Sequence, residues 1–257
     1  MTIPPVGGHR ADSARAEHEL GAAAVRQPKT VLPDEVLGPL NEFELKAAPR
    51  QLFLRGDASL LEGGPRIAVV GSRRASSEGL ELARRITEML VSRGVTVVSG
   101  LALGIDTVAH ETAMTHGGRT VGVLGTSLDR YAVPRNRNLQ DAIGEQHLLV
   151  SQFPSGQQAH RSHFPLRNKT MALLSDATLI VEAATNSGTR HQGWEAIRLG
   201  RPVLFPKRSL ERQSPDWADE MIRYGAFGFD ARTLPLVLDD LPSRCVGSAA
   251  RADDLPF

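Results

Sequence analysis

The sequence is poor in several features that mark particular protein classes. It contains one cysteine, Cys245, among 257 residues. Neither an internal disulfide nor a metal site with several cysteine ligands is therefore possible, and a reducing cytoplasm is the expected environment. The formal net charge is only +1, whereas proteins that coat duplex nucleic acid are usually far more basic. Any site for a polyanion must be a local patch of basic side chains.

Long apolar runs and aromatic residues are scarce as well. No segment reaches the roughly 20 apolar residues that cross a membrane, and the N-terminus lacks the apolar core of a signal peptide. We therefore expect a soluble, cytoplasmic protein without membrane association. Aromatic residues make up 5% of the chain, too few for an extended platform on which bases stack. The candidates for stacking on one or two bases are Tyr131, Phe153 and Phe164.

Familiar catalytic signatures are absent from the sequence. There is no G-x-x-x-x-G-K-[ST] phosphate-binding loop, no G-x-G-x-x-G after the first apolar strand and no G-x-S-x-G nucleophile elbow. The histidines lack the spacing of metal ligands, such as H-E-x-x-H. We expect no catalytic constellation and no resident metal or cofactor.

Short apolar runs alternate with amphipathic segments from residue 67 onward. The runs are RIAVV, VTVVS, TVGVL, HLLVS, TLIVEA and PVLFP, and helical segments such as SSEGLELARRITEMLVSR and GTRHQGWEAIRL lie between them. Continuous apolar strands that alternate with helices are typical of a parallel sheet covered on both faces. Right-handed crossovers then predict an α/β protein with a doubly wound, mostly parallel sheet and an extended Rossmann-like fold.

Composition changes along the chain predict its organisation. Residues 1–35 mix Ala, Arg, Glu, Pro and Gly without a sustained apolar period, which is typical of a disordered lead. Residues 36–66 contain an amphipathic segment and QLFLRG, and are expected to form a short helix and strand strap that packs on the core. Residues 67–230 are the Rossmann-like domain. Residues 231–257 are rich in Pro, Asp and Ser and are expected to form a loose tail.

Glycine-rich and basic clusters follow the predicted strands. In a doubly wound sheet ligands collect at the carboxyl ends of the strands, where helix N-termini, glycines and cations favour phosphate. Each cluster alone is more typical of turn geometry or a solvated surface, although FPLRNKT is harder to explain in that way. The candidate site residues are Gly71, Ser72, Arg73, Arg74, Gly100, Gly104, Phe164, Arg167, Asn168, Lys169, Ser187, Gly188 and Thr189.

The two cations in FPLRNKT, Arg167 and Lys169, need not have the same role. Arg167 can be a structural ion-pair partner of Glu182 or Asp106. Lys169 is the better candidate for a solvent-facing contact with phosphate.

Several motifs occur in a fixed order between residues 65 and 229. They are VGSR at 70–73, VVSGLALGIDTVAH at 97–110, VGVLG at 121–125, FPLRNK at 164–169, LIVEA at 179–183 and SGT at 187–189. In this order they resemble the DNA-processing protein DprA family, also called Smf. The resemblance implies a non-catalytic Rossmann-like protein that binds single-stranded DNA without sequence preference, forms a homodimer and delivers DNA to a RecA-type recombinase in natural transformation. It also implies that Arg73 and Lys169 line the DNA groove.

Other interpretations remain open at this point. SGTRHQGWE at 187–195 is reminiscent of the Gly-Gly-x-Gly-Thr-x-x-Glu loop of the LOG phosphoribohydrolases, with Thr189 on phosphate and Glu195 as acid or base. Its Thr-to-Glu spacing is longer than in that loop. This interpretation gives a nucleotide-binding sensor or a nucleoside monophosphate hydrolase. A further alternative is an interaction scaffold whose basic residues only form ion pairs.

Overall fold

The computed structural model describes residues 28–184, 188–213 and 216–241. Its strands are β1 Lys29–Val31, β2 Leu52–Gly56, β3 Arg66–Val70, β4 Thr96–Ser99, β5 Arg119–Leu124, β6 Leu148–Ser151, β7 Ala177–Ile180, β8 Val203–Pro206 and β9 Phe227–Phe229. Its α-helices are α1 Pro33–Leu37, α2 Glu42–Ala47, α3 Ser77–Ser92, α4 Ile105–Thr115, α5 Arg137–Gln146, α6 His163–Leu174, α7 Thr189–Arg198, α8 Lys207–Gln213, α9 Asp216–Arg223 and α10 Thr233–Asp239. Short 3₁₀ helices occur at Ala58–Leu61 and Pro134–Asn136.

The strands form a nine-stranded sheet with the order β1-β2-β6-β5-β4-β3-β7-β8-β9. All neighbours from β6 to β9 are parallel, while β2 pairs antiparallel with β1 and with β6. The chain builds outward from β3 to β6 and then returns to the other side of β3 as β7. The boundary between β3 and β7 is therefore the topological switch point, and the predicted doubly wound α/β fold is confirmed.

Both faces of the sheet are buried, which explains the uninterrupted apolar strands. In β3, Ile67 and Val69 belong to the core on the side of α3 and α4. The alternate residues Ala68 and Val70 belong to the core that also contains residues of α6 and α7. Because successive side chains of a strand point to opposite faces, a strand between two helical layers must be apolar throughout.

Helix α3 is specified by its ends and by its apolar spacing. The Ser76 hydroxyl caps the helix by accepting a hydrogen bond from Gly79 N (3.0 Å). Gly94, with φ of +70°, supplies the left-handed residue beyond the last turn. Ile86 and Leu90 are buried one turn apart, so the face that they share lies against the sheet.

The strap before β3 is tied to the sheet by buried charges. Arg66 and Asp176 form an ion pair (3.6 Å) that is almost fully buried, and Arg66 also donates to the Leu61 carbonyl. Arg201 forms a second buried ion pair, with Glu44 of α2 (3.1 Å). Burial raises the pKa of Asp176 and lowers that of Arg201 to about 10.

The observed element boundaries differ from the predicted ones at both ends. Residues 28–35, which we assigned to the disordered lead, contain β1 and the start of α1. Residues 233–239 of the predicted tail form α10, because Leu234 and Leu238 pack into the core beside α3. The rest of the lead and of the tail, 1–27 and 242–257, lies outside the described residues, and the domain boundaries otherwise stay predictions.

Candidate nucleic-acid interface

The loops that follow β3, β4 and β7 are joined by hydrogen bonds at the switch point. Ser72 N donates to the Glu182 carbonyl (2.7 Å), and Ile105 N donates to the Ser72 carbonyl (3.3 Å). The Thr189 hydroxyl donates to the Gly71 carbonyl (3.3 Å). The structure thus brings the GSRR and SGLALG segments together with Glu182 and with Thr189 of the SGT motif at one edge of the sheet.

Glycine is required where these loops approach each other most closely. A Cβ atom on Gly71 would lie 2.5 Å from Ile105 Cγ1 and 2.8 Å from the Glu182 carbonyl oxygen. Gly104 has φ of +80°, and a Cβ atom there would lie 2.3 Å from the Ser72 carbonyl oxygen. By contrast, a Cβ atom on Gly188 would meet no atom of the described structure within 4 Å. Gly71 and Gly104 therefore shape the loops, whereas Gly188 is not constrained in this way.

Arg167 lies beneath these loops rather than on their surface. Its side chain is buried, and Nη1 donates to the carbonyls of Gly100 (2.6 Å) and Val123 (3.2 Å). A Cβ atom on Gly100 would lie 1.5 Å from Arg167 Nη1, so the glycine makes room for the guanidinium. Arg167 therefore joins the ends of β4 and β5.

Asp106 supplies the negative charge that accompanies Arg167. Its carboxylate accepts hydrogen bonds from Gly100 N (3.2 Å) and Ala102 N (3.3 Å). Burial raises the pKa of Asp106, and the charge of Arg167 and the backbone donors oppose this shift. Burial likewise lowers the pKa of Arg167, against the attraction of Asp106. Of the two partners expected for Arg167, its charge interaction is with Asp106.

Exposed cations and an aromatic ring lie above this buried pair. Arg73 and Arg74 are exposed, and Arg73 Cζ lies 5.8 Å from the centroid of the half-buried Phe164 ring. That ring packs on Gly125, where a Cβ atom would lie 2.9 Å from Phe164 Cδ1. A cation and an aromatic face are therefore adjacent at the carboxyl ends of β3 and β5.

Asn168 and Lys169 link α6 to neighbouring segments. Asn168 Nδ2 donates to the Gly188 carbonyl (3.2 Å), which precedes α7. Lys169 Nζ donates to the Lys46 carbonyl of α2 (3.0 Å). Lys169 is half-buried, and so less exposed than we expected, because α2 lies against α6. Ser187, the remaining predicted site residue, lies outside the described residues.

Only some of the predicted aromatic candidates present a free face. Phe153 is 5% exposed and stacks on the His163 ring (centroids 4.0 Å apart), so stacking of Phe153 on a base, as predicted, is wrong. Tyr131 is exposed, but the Arg137 guanidinium lies over its ring, with Cζ 4.8 Å from the ring centroid. Burial against a neighbouring ring cannot be read from a linear sequence.

Basic residues after β5 were not among the predicted site residues. Arg130 and Arg135 are exposed in the loop that leaves the same edge of the sheet. Asn136 holds this loop by donating from Nδ2 to the Leu101 carbonyl (3.0 Å) and the Thr107 hydroxyl (2.8 Å). The arginine spacing in DRYAVPRNR was a signal that could have indicated them.

The described residues show neither a metal cluster nor a membrane span. They contain no group of three or more His, Cys, Asp or Glu side chains that could hold a metal ion. Within the same residues, no helix has the length and apolar character needed to cross a membrane. Glu195, the acid or base of the hydrolase alternative, forms an ion pair with Arg198 one turn along α7.

Comparison with known proteins identifies relatives of the chain. Residues 31–233 match the family model described as DNA recombination-mediator protein A. The DNA processing protein DprA of Streptococcus pneumoniae is 37% identical over 188 residues, which are 73% of this chain and 66% of that protein. The Smf protein of Synechocystis is 34% identical over 204 residues, 78% of this chain and 51% of that protein. The chain thus matches less than two thirds of the length of these relatives.

Solved structures agree with this relationship. The crystal structure of DprA from Streptococcus pneumoniae superposes with a TM-score of 0.72 and 32% identity, over 90% of this chain and 79% of that one. DNA processing protein A from Helicobacter pylori, whose structure is described in terms of its single-stranded DNA binding mode, gives a TM-score of 0.70 at 26% identity, over 84% and 98% of the two chains. The chain belongs to the DNA recombination-mediator protein A family, known as DprA or Smf.

Proposed function

We propose that the chain binds single-stranded DNA without sequence preference and without catalysing a reaction. The observation that carries this proposal is the pairing of exposed Arg73 with the Phe164 ring at the switch point, 5.8 Å apart. A cation beside an aromatic face provides for both parts of a nucleotide, its phosphate and its base. The single-stranded DNA binding described for the Helicobacter pylori relative supports the same ligand.

The groove that we propose has a cationic rim and a rigid floor. Arg73, Arg74 and Lys169 contact phosphates, and a base stacks on Phe164. Gly71, Ser72, Gly100, Gly104, Asn168, Gly188 and Thr189 line its walls, and Arg167 supports the floor of the groove. Contacts to phosphate and to a ring face do not distinguish the bases, which gives binding that tolerates any sequence.

We further propose that a homodimer of this protein hands single-stranded DNA to a RecA-type recombinase during natural transformation, in the cytoplasm. The family description as a recombination mediator supports this role. The similarity to the DNA processing protein DprA of Streptococcus pneumoniae supports the part of this proposal that concerns DNA processing.

A titration of labelled oligothymidylate, followed by fluorescence anisotropy at several salt concentrations, tests the proposed groove. Arg73→Glu and Lys169→Glu should each weaken binding at low salt. Each should also make the salt dependence shallower by about 0.7 for every phosphate that the variant no longer neutralises. Lys29→Glu is the matched control, because Lys29 is exposed on the edge strand β1, which is separated from β3 by four other strands. Unchanged affinity for both groove variants would refute the groove.

A further inference from the structure

A carboxylate of the protein lies at the N-terminus of helix α3. Glu182, in the loop after β7, accepts hydrogen bonds from Ser76 N at Oε1 (3.0 Å) and from the Ser76 hydroxyl at Oε2 (2.6 Å). Because Ser76 is the N-cap of this 16-residue helix, the carboxylate lies where the helix dipole and the unpaired backbone N–H groups favour an anion.

The first turn of α3 is shaped to accept this carboxylate. A Cβ atom on Gly79 would lie 2.2 Å from Glu182 Oε2 and 2.9 Å from Glu182 Cδ. Gly79 is fully helical, a position where glycine normally costs stability relative to alanine. Its presence is explained by the close approach of Glu182.

This position is the one at which an open α/β sheet usually holds the phosphate of a ligand. It lies at the switch point between β3 and β7, where doubly wound folds bind nucleotides against a helix N-terminus. A cavity of about 490 Å³ opens beside it, and its lining includes Ser76, Gly79, Glu182, Phe205 and Trp217. That volume lies within the range of small-molecule sites. The fold therefore provides a nucleotide-sized cavity whose anion position is filled by a side chain of the protein.

The rest of the cavity does not offset this negative charge. Glu78 and Glu81 also line it, and Glu81 is engaged by Arg84 and Arg85. Arg208 and Arg85 are the cations of the lining. A phosphate group that enters would meet Glu182 before it reached the N–H groups of α3.

We propose that Glu182 is a specificity-determining residue, which excludes phosphate from the α3 N-terminus so that free nucleotides are rejected. Single-stranded DNA then lies on the other side of the loop formed by residues 71–76, where Arg73 is exposed. This second statement rests on the proposed DNA-binding function, whereas the exclusion of phosphate does not. The protein thereby distinguishes a polynucleotide from its monomers while keeping the fold of a nucleotide-binding protein.

Titration of thymidine monophosphate and of inorganic phosphate against the full chain tests this proposal. Glu182→Ala should bind both ligands at least about tenfold more tightly than the wild type, because a like charge within a few ångströms has been removed. Glu182→Asp, which keeps the charge, is the matched control and should remain close to the wild type. In NMR spectra of Glu182→Ala, phosphate should shift the amide signals of residues 76–79. Equal affinities for the wild type and Glu182→Ala would overturn the proposal.

A second measurement checks the position of the carboxylate without any ligand. Gly79→Ala should lower the melting temperature of the wild type, because the new Cβ atom displaces Glu182. In the Glu182→Ala background the same change should leave the melting temperature equal or raise it, since alanine is the better helix former. An equal loss in both backgrounds would show that Glu182 does not lie on the first turn, and would overturn the proposal. The DNA proposal fails separately, through the affinity of Arg73→Glu for oligothymidylate.

Discussion

Substitution by methionine should have different consequences at the two cations of α6. It should mainly lower stability at Arg167 and mainly weaken DNA binding at Lys169. Arg167→Met removes the donors to the carbonyls of Gly100 and Val123 and leaves Asp106, which is 5% exposed, without the charge that faces it. Lys169→Met removes one hydrogen bond, to the Lys46 carbonyl, from a half-buried position. Methionine is uncharged and flexible, so it removes the charge at both sites while keeping most of the apolar part of each side chain.

The structure sets the expected size of each effect. Removal of one partner of a buried charge pair costs about 3–5 kcal/mol. One kcal/mol shifts the melting temperature by about 2–4 °C in a domain of this size, so Arg167→Met should melt roughly 6–20 °C below the wild type. The loss of a single hydrogen bond near the surface costs about 0.5–1.5 kcal/mol, so Lys169→Met should melt within about 6 °C of the wild type.

DNA binding should show the reverse order at a temperature where both variants are folded. Lys169→Met should weaken the binding of oligothymidylate and reduce the slope of log affinity against log salt by about 0.7, the value for one phosphate contact to a single strand. Arg167→Met should keep the wild-type slope, because its guanidinium is buried and directed at backbone carbonyls.

Thermal melting by circular dichroism and anisotropy at several salt concentrations measure both quantities. The reasoning is refuted if Arg167→Met melts within about 3 °C of the wild type, or if it changes the salt slope as much as Lys169→Met does. The double variant Arg167→Met/Asp106→Asn removes both charges and keeps an acceptor for Gly100 N and Ala102 N. It should recover part of the lost stability, since the orphaned carboxylate charge is gone.

Further predictions concern the pH dependence and the loop geometry. Burial lowers the pKa of His110 to about 3, so the unfolded chain takes up a proton below pH 6.5 that the folded chain does not. The contribution of His110 to the free energy of unfolding is therefore fully present above pH 6.5 and should fall by about 1.4 kcal/mol per pH unit below it. In His110→Gln, the urea midpoint should depend less on pH between pH 6 and 4 than it does in the wild type. Gly104→Ala should lower the melting temperature more than Gly117→Ala, although both residues have positive φ. A Cβ atom at 104 would lie 2.3 Å from the Ser72 carbonyl oxygen, whereas one at 117 would meet no atom of the described residues within 4 Å. Similar losses for the two variants would argue against the close approach at 104. Asp176→Asn should lower the urea midpoint, because it leaves the fully buried Arg66 without its counter-charge; an unchanged midpoint would contradict a stabilising ion pair.

Local patterns were sufficient for the elements at the centre of the fold. β3 and α3 were predictable because apolar periodicity and end signals such as Ser76 and Gly94 act within a few residues. Helix α5 was not predicted, because its segment RNLQDAIGEQ contains few apolar residues and a glycine. Helix α10 was not predicted for a related reason, since Leu234 and Leu238 are buried in a core cluster whose members come mostly from α3, α4 and strands that are distant in the sequence.

The fold class, the family pattern and the residue types of the proposed groove could be read from the sequence, because strand and helix periods and ordered motifs are local properties of the chain. The sequence already favoured a structural role for Arg167 and a phosphate contact for Lys169. Only the tertiary structure revealed the partners of these side chains, Gly100, Asp106 and Lys46, and the burial of Arg167, because these contacts come from elsewhere in the chain. It also brought Glu182 to the first turn of α3, 106 positions away from Ser76. Long-range contacts of this kind depend on how strands and helices pack together, and no pattern of neighbouring residues encodes them.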